Sequence, residues 1–318
     1  MGDRFVIMDV LYNPDNDLRA ASDDFRKIAA SAEQAKYGAA YFPYLSTTIP
    51  FKYDENSIVV TGSLETLAAT SAPPVVVEVT AAPAPEETAP PRARRGSPAA
   101  SGAQGFADLP NATQNQIKQK IKELGVELPP SSAVAGVYAR VDNTRGVWKA
   151  PANEPLNHVK APVIRITDDE QKDLNIDVNA GKSINAIRSF IGKGTKIWGA
   201  RTLAGNDNEW RFVNIRRFFN MVEESVKKST YWAVFEPNDI NTWTKVRAMI
   251  ENYLIMKWKD GALAGVKPND AFFVRVGLGQ TMSQEDVLEG RMIVEIGLAV
   301  VRPAEFIILK FSHKLQVS

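Results

Sequence analysis

The segment Ile191–Lys196, which reads IGKGTK, is the part of the chain closest in pattern to a phosphate-binding loop. Such a loop holds phosphate on backbone N–H groups; it needs Ser or Thr directly after its lysine and a glycine five residues before its last glycine. Here Gly194 follows Lys193, and Ile187 stands where the first glycine is required. The segment therefore predicts no nucleotide site, and its two glycines favour a hairpin loop instead.

Histidines and paired acids offer little for catalysis. His158 and His313 are far apart in sequence, and neither has a nearby partner of the kind found in zinc motifs. The acid pairs 168–169 and 223–224 are adjacent in sequence and point different ways on a helix or strand, which does not favour a shared proton. The sequence therefore predicts a protein that is not an enzyme and that uses no cofactor or metal.

Composition and charge narrow the class of protein further. Lys and Arg total 38 in 318 residues and Asp and Glu total 37, so no overall field attracts nucleic acid or an anionic membrane. The chain has no cysteine, which excludes disulfides and thiolate sites and fits a reducing compartment. No stretch approaches the roughly 18 apolar residues of a membrane span. We expect a protein made in the cytoplasm that binds neither nucleic acid nor membrane.

One break in composition divides the chain. Residues 68–105 are rich in Ala, Pro, Ser, Thr and Gly, which bury too little apolar surface to offset the entropy of ordering. They predict a linker or surface loop. Residues 1–67 are predicted to be part of an α/β domain, residues 106–302 to form the core and C-terminal domain, and residues 303–318 to form a C-terminal arm.

Hydrophobic periodicity predicts the elements around this break. Before it, DRFVIMDVLY predicts a strand, followed by a helix capped by Ser22 and stopped by Gly38. After it, we expect one helix that ends at Gly125 and a second that starts at Ser131 or Ser132. The two segments INAIRSF and KIWGARTL predict a hairpin joined by IGKGT.

Strands and helices alternate through the rest of the chain. TYWAVFEPN predicts a strand stopped by Pro237, and a long helix is predicted between an Asp239 cap and Gly261. Four tryptophans in or beside strand-like blocks are predicted to be core or domain-packing residues rather than ligand contacts: Trp148, Trp198, Trp210 and Trp232. The predicted fold class is α/β, of the mixed α+β kind, with a mixed sheet flanked by helices and an extended C-terminal strand arm.

The end of the chain carries a strand that its own sequence cannot cover. Apolar side chains occupy both faces of this strand: Phe306, Ile307, Ile308, Leu309 and Phe311. Seven residues follow Phe311. Pro303 separates it from the preceding strand, predicted at residues 292–301, and cannot take the positive φ of a two-residue hairpin turn. The strand therefore either leaves the domain or returns through a longer hairpin loop.

Four blocks of the sequence resemble, in order and spacing, the contractile tail sheath family, which includes phage tail sheaths, pyocin-like particles and extracellular contractile injection systems. The blocks are AVAGVYARVDNTRGVWKAPAN, INAIRSFIGKGTKIWGARTL, WRFVNIRRFFNMVEESVKKSTYWAVFEPND and TMSQEDVLEGRMIVEIGLAVVRPAEFIILKF. The resemblance is dense from Ser131 to Phe311 and looser from Asp3 to Gly62. It does not extend to the Pro/Ala-rich segment.

This resemblance implies a structural subunit of a sheath that surrounds an inner tube and drives it by contraction of a metastable helical assembly, without nucleotide hydrolysis. Family subunits stack as hexameric rings, and their partners are an inner tube protein and the baseplate and terminal cap proteins. Their arms add strands to neighbouring subunits, which implies that residues 303–318 are buried in another copy. The particle is then assembled in the cytoplasm and released as a phage tail or tail-like particle.

The resemblance also places a short acidic helix, predicted with Ser283 as its cap, near the tube. Val287 and Leu288 are expected to face inward, and three acids are expected to contact the tube: Glu285, Asp286 and Glu289. Family members begin with an extended N-terminal arm, which this sequence is expected to lack. The alternative interpretation is an α/β interaction module that adds its last strand to a different partner, with no contraction.

Overall fold

The computed structural model describes residues 4–11, 18–28, 31–53, 59–60, 104–177, 179 and 181–305. The chain divides into two compact units, one formed by residues 1–46 with 127–318 and one by residues 47–126. The predicted linker at 68–105 lies outside the described residues except for Gln104 and Gly105.

The described residues form twelve strands and nine helices. The strands are β1 (Val6–Asp9), β2 (Gly38–Phe42), β3 (Leu45–Thr47), β4 (Val59–Val60), β5 (Gln104–Gly105), β6 (Glu127–Leu128), β7 (Glu154–Pro155), β8 (Val159–Pro162), β9 (Ile184–Phe190), β10 (Gly194–Ile197), β11 (Phe272–Val276) and β12 (Val294–Leu298). The helices are α1 (Leu18–Ile28), α2 (Ala32–Ala35), α3 (Asn111–Leu124), α4 (Ser131–Arg145), α5 (Asp168–Asn175), α6 (Val213–Ser229), α7 (Ile240–Lys259), α8 (Pro268–Ala271) and α9 (Gln284–Leu288).

The main sheet of the larger unit has five strands in the spatial order β1-β2-β9-β10-β7. β1, β2 and β9 run parallel, and β10 pairs antiparallel with both β9 and β7. Every residue of β2 is buried, as a parallel strand covered on both faces requires. Ala40 and Phe42 pack on one face with α1 and α5, whereas Ala39 and Tyr41 pack on the other with α4. The predicted mixed sheet flanked by helices is confirmed.

Local signals in the sequence fix several boundaries in this layer. The predicted hairpin is confirmed, because β9 and β10 pair antiparallel across a turn in which Gly192 and Gly194 have φ of 72° and 70°. α4 begins at Ser131, as predicted, but the helix start is held by Asp9 of β1. One carboxylate oxygen of Asp9 accepts from the Ser131 N–H at 2.7 Å, and the other accepts from its hydroxyl at 2.6 Å.

A buried pair of tyrosines joins β2 to α4. The hydroxyl oxygens of Tyr41 and Tyr138 are 2.6 Å apart, and the rings meet edge to face at 6.4 Å. Burial raises the pKa of both phenols well above the usual value. Each hydroxyl thus remains neutral and supplies a hydrogen-bond partner for the other, which is how buried polar groups are accommodated.

A second core lies between α6, α7 and the two-stranded sheet of β11 and β12. Its buried centre includes Phe218, Val246, Ile250 and Leu254. The long helix predicted after Asp239 is confirmed: the Asp239 side chain accepts a hydrogen bond from the Thr242 N–H at 3.0 Å. α7 presents one apolar stripe to this core, as its residue spacing predicts.

Several expectations about local structure are wrong. The segment predicted as a strand after α6 forms a short 3-10 turn at Tyr231–Ala233 and then a loop. Trp232 and Trp198 are 41% and 38% exposed rather than buried. Trp198 packs its ring against Phe190, with centroids 4.5 Å apart, so its partner is another partly exposed ring at the edge of the sheet.

The first helix also differs from its prediction. It begins at Leu18 rather than Ser22, whose hydroxyl donates to the Arg19 carbonyl inside the helix. It ends at Ile28, and Gly38 is the first residue of β2 rather than a helix stop. The smaller unit holds α3, which ends before Gly125 as predicted and packs on Phe106 through Ile117 and Ile121.

Candidate assembly site

The two-stranded sheet has one buried and one exposed face. In β11, Val274 packs in the second core and Val276 is also buried, while Phe273 and Arg275 are exposed. β12 continues the alternation, since Val294, Ile296 and Leu298 pack on the same core. The pairing register places Val274 opposite Ile296 and Arg275 opposite Glu295.

Within the described residues, neither β11 nor β12 pairs with a further strand, and the chain just past β12 forms an isolated bridge between Val300 and Leu263. β11 and β12 pair only with each other, with five residue pairs from Phe272–Leu298 to Val276–Val294. A two-stranded sheet is marginal on its own, and an edge strand presents a row of unpaired N–H and C=O groups to any further strand. The geometry is therefore that of a site for strand addition.

The exposed face of the sheet has a defined shape. The Phe273 ring lies over Gly297, where an added Cβ would be 2.1 Å from a ring carbon. The Arg275 guanidinium stands 4.7 Å from the centre of the same ring, and its nearest nitrogen is 3.8 Å from Glu295. Since these contacts are exposed, they set the shape of the face more than the stability of the fold.

The chain that follows β12 is bound to the rest of the domain at residues 299–305. The Ala299 N–H donates to the Ala271 carbonyl at 2.8 Å, and the Val301 N–H donates to the Ala262 carbonyl at 3.2 Å. The buried Asn214 amide donates to the Val301 carbonyl at 3.2 Å. The Ala299 carbonyl also accepts from the Ala264 N–H at 2.7 Å, so four hydrogen bonds fix the chain at residues 299–301.

Glu305 makes the last described contact of the chain. Its carboxylate is paired with Arg201: the Arg201 Nε to Glu305 Oε1 distance is 2.8 Å and the Nη2 to Oε2 distance is 2.5 Å. The Arg201 side chain is 5% exposed and that of Glu305 is 21% exposed. No local pattern could have predicted this pair, because the two residues are 104 positions apart.

The predicted arm strand lies outside the described residues. The burial of its five apolar side chains in another copy therefore remains a prediction: Phe306, Ile307, Ile308, Leu309 and Phe311. The residues just before it line an open cleft of about 770 Å³ together with Trp148, Asn214 and Trp198. Residues 301–305 form one wall of this cleft, so it adjoins the root of the arm.

The short acidic helix α9 forms with the predicted cap. The Ser283 hydroxyl accepts from the Asp286 N–H at 3.2 Å, and the Asp286 carboxylate accepts from the Ser283 hydroxyl at 2.7 Å and N–H at 2.8 Å. These hydrogen bonds, with a smaller contribution from Arg291, hold the pKa of Asp286 below its usual value. The carboxylate is therefore committed to the helix start.

The three acids of α9 and its C-cap differ in how far their charge is already paired within the chain. Arg291 pairs with Asp286 at 2.9 Å and also with Glu289, so much of their charge is compensated. Glu285 is exposed on the first turn of the helix. The expectation that Leu288 faces inward is wrong, because this side chain is 81% exposed.

Exposed apolar side chains occur on two segments that we together call the apolar end: Val234, Phe235 and Ile240 on the first, and Leu288 and Ile293 on the second. Asn238 ties two of these segments together: its amide donates to the Arg291 carbonyl at 3.2 Å, and its carbonyl accepts from the Trp243 indole at 2.7 Å. Phe235 is fully exposed and has a φ of 69°, which is uncommon for a bulky residue.

The described residues contain no group of three or more His, Asp or Glu side chains placed to hold a metal ion. Within the same ranges, no helix is both long enough and apolar enough to cross a membrane.

Comparison with known proteins identifies the second half of the chain. Residues 205–314 match the phage tail sheath C-terminal domain. The tail sheath protein of Burkholderia phage BcepMu is 31% identical over 144 residues, which cover 44% of this chain and 30% of that protein. The tail sheath protein of Enterobacteria phage T4 is 26% identical over 139 residues, covering 42% of this chain and 20% of that protein.

Solved structures extend the similarity over nearly the whole chain. The sheath complex of an extracellular contractile injection system, PVC, in its contracted state is 33% identical, with a TM-score of 0.67, over 98% of this chain and 64% of that chain. The contracted helical sheath of the anti-feeding prophage is 32% identical, with a TM-score of 0.63, over 98% of this chain and 61% of that chain. The chain thus spans less than two thirds of the length of these relatives. It contains a phage tail sheath C-terminal domain and is similar over nearly its whole length to the sheaths of contractile injection systems.

Proposed function

We propose that this chain is a structural subunit of a contractile sheath, which surrounds an inner tube and drives it by contraction of a metastable helical assembly. The observation that carries the proposal is the similarity over 98% of the chain to a sheath complex in its contracted state. No nucleotide is hydrolysed, because the free energy is stored in the extended assembly. The subunit has a structural role and no catalytic one.

Copies are connected by strand addition at the β11–β12 sheet. The open edges of this sheet support the proposal, since main-chain hydrogen bonds give the register and side-chain pockets give the specificity. The donated strand is the C-terminal arm of another copy, with Phe306, Ile307, Ile308, Leu309 and Phe311 as its buried residues. Each contributes about 1.5–3 kcal/mol if fully buried, as an upper limit.

Contraction requires subunits that move as rigid bodies and links between subunits that stay intact during the movement. Tightly packed cores are bistable rather than continuously deformable, so subunits rotate and slide while the linking strands act as hinges. The second core, with Phe218 and Leu254 fully buried, gives the sheet a firm support during such movement. The apolar end adds a further surface for contact with other copies.

The partners follow from the same proposal. They are other copies in stacked hexameric rings, an inner tube protein, and the baseplate and terminal cap proteins. Similar chains come from a sheath complex and from a baseplate of the anti-feeding prophage, which supports an assembled role. The subunit is assembled in the cytoplasm into a phage tail or tail-like particle that is released extracellularly.

Electron microscopy of the purified protein tests this function. We expect stacked rings or tubes, either alone or after the inner tube protein is added, because strand addition links copies without limit along the axis. A protein that stays monomeric with the tube protein present, and that binds a different partner instead, would support the interaction-module alternative and overturn the sheath proposal.

We also propose that α9 faces the inner tube and that Glu285 and Glu289 meet complementary charge there. Exposed pairs contribute about 0–1 kcal/mol each, and many repeated copies add up while single contacts remain easy to release. Asp286 supports this surface by capping the helix, as its hydrogen bonds with Ser283 indicate.

Changing Glu285→Lys together with Glu289→Lys should therefore reduce co-sedimentation with purified tube at low salt several-fold, with Asp286 kept to preserve the helix. The control is Glu33→Lys with Glu209→Lys, which changes the net charge equally at two exposed positions outside α9. Equal co-sedimentation of both variants and the parent would exclude α9 as the tube-binding surface and make α7 the next candidate.

A further inference from the structure

We infer that Arg201 and Glu305 form a clamp that sets the root of the C-terminal arm, so that the arm becomes free after Glu305 rather than at Pro303. Both residues are positioning residues: they fix where the arm leaves the domain and in which direction. The inference deepens the proposed function, because it concerns the same arm.

The geometry of Arg201 makes it a rigid anchor. Its backbone is held on both sides by the buried Asn185, which accepts from the Arg201 N–H at 2.7 Å and donates to the Arg201 carbonyl at 2.7 Å. Asn185 in turn donates to the Ala40 carbonyl of β2 at 3.1 Å. The clamp is therefore attached directly to the middle of the main sheet.

The guanidinium of Arg201 is fully engaged. Two nitrogens hold the Glu305 carboxylate in the forked arrangement that is the strongest and most directional form of an Arg–carboxylate pair. The third nitrogen approaches the carbonyls of Asn175 and Gly205, each at 3.4 Å. Arg201 can therefore neither rotate away nor follow Glu305 if the chain moves.

The fold of the domain does not require this pair. The chain after β12 is already secured at residues 299–301 by three backbone hydrogen bonds and by Asn214. Glu305 lies four residues beyond Val301, past Pro303, whose ring fixes φ and stiffens the connection. A second, charged attachment at this place controls the chain that follows it, where the predicted arm strand begins.

The pair joins a buried Arg201 to a partly exposed Glu305 carboxylate, which makes it a suitable fixed point for a connection under load. Losing Glu305 leaves the buried Arg201 charge poorly solvated, so the pair resists partial opening more than a fully exposed pair does. The hinge between two copies then falls within the residues that follow Glu305, and movement of one copy does not pull on β12.

Digestion of the dispersed subunit with a Glu-specific protease tests the clamp. The protease must take the Glu305 side chain into its own pocket, so cleavage after Glu305 reports how often the pair opens. For Arg201→Met we expect peptide 306–318 to be released about tenfold faster or more, as measured by mass spectrometry, because cleavage follows the open population.

Arg217→Met is the matched control. Arg217 makes a similar forked pair with Asp142, between α6 and α4, with distances of 2.9 and 2.5 Å. Its loss should leave the release of peptide 306–318 unchanged even if the subunit is destabilised to a similar extent. Equal release from Arg201→Met and the parent, or equally faster release from both variants, would overturn the inference.

If Arg201→Met does not fold, Glu305→Gln provides the same test from the other partner, since Glu305 lies at the edge of the domain. Chymotrypsin, which cuts after Phe306, then replaces the Glu-specific protease, and Asp142→Asn is the control. Faster cleavage at Phe306 in Glu305→Gln alone is expected, and no change would contradict the clamp. These measurements use unassembled protein, so they remain decisive even if no tubes form and the proposed function fails.

Discussion

Deleting residues 306–318 is expected to leave a folded subunit that forms no rings or tubes. The deletion removes the apolar residues that the proposal places in the sheet of another copy but keeps the clamp and all hydrogen bonds of residues 299–305. Losing even about 3 kcal/mol of contact free energy weakens a contact roughly 100-fold. Electron microscopy measures assembly, and circular dichroism with thermal unfolding checks the fold.

Two comparisons make this result interpretable. Cutting after Arg302 instead also removes Glu305 and leaves Arg201 buried without its partner, so this shorter chain should unfold at a lower temperature than the 306–318 deletion. Ile308→Lys or Leu309→Lys should weaken assembly without lowering the unfolding temperature of the monomer. A chain lacking residues 306–318 that still forms tubes would disprove the role of the arm.

Replacing Phe218 by alanine is expected to destabilise the subunit by about 3–5 kcal/mol, as large-to-small changes of buried aromatics do. Phe218 is 0% exposed at the centre of the second core, and Trp148 meets its ring edge-on at 6.4 Å. The cavity would lie where α6 meets α7 and the β11–β12 sheet, and the contacts of the Phe218 ring there would be lost. Urea denaturation followed by fluorescence and circular dichroism measures the change in the free energy of unfolding.

Trp232→Ala is the matched comparison for that measurement. The sequence predicts a core residue at this position, whereas the structure places it in an exposed turn beside Tyr231, which is 77% exposed. We therefore expect a loss below about 1 kcal/mol, the range of surface substitutions. A loss as large as that of Phe218→Ala would contradict the exposed position of Trp232. Assembly of the Trp232 variant can still change, because the turn precedes the apolar end.

Short-range signals account for what the sequence predicted about the fold. Caps at Asp239 and Ser283, the glycines of the β9–β10 hairpin and the end of α3 at Gly125 all act within three or four residues of the chain, so their patterns are visible in one dimension. The apolar alternation of β11 and β12 has the same character. Family resemblance added the expectation of a sheath subunit, which comparison with known sheaths supports.

Burial, by contrast, depends on where elements meet. The run from Tyr231 to Phe235 is as aromatic as a core strand, yet four of its five side chains are exposed and Ala233 alone packs on the second core among the described residues. Leu288, on the five-residue helix α9, is likewise exposed. Hydrophobic residue types show what could be buried but not what is.

The sequence by itself therefore determined most of the element types and the caps at Asp239 and Ser283, while the apolar terminal strand stays a prediction. Only the tertiary structure decided which side chains those elements bring together: Asp9 at the start of α4, Asn185 beside Arg201, and Glu305 in the Arg201 clamp. Each of these contacts joins residues that are distant in the chain, or depends on a bend between them. Local periodicity carries no information about such pairs, because it is folding that sets the distance between them.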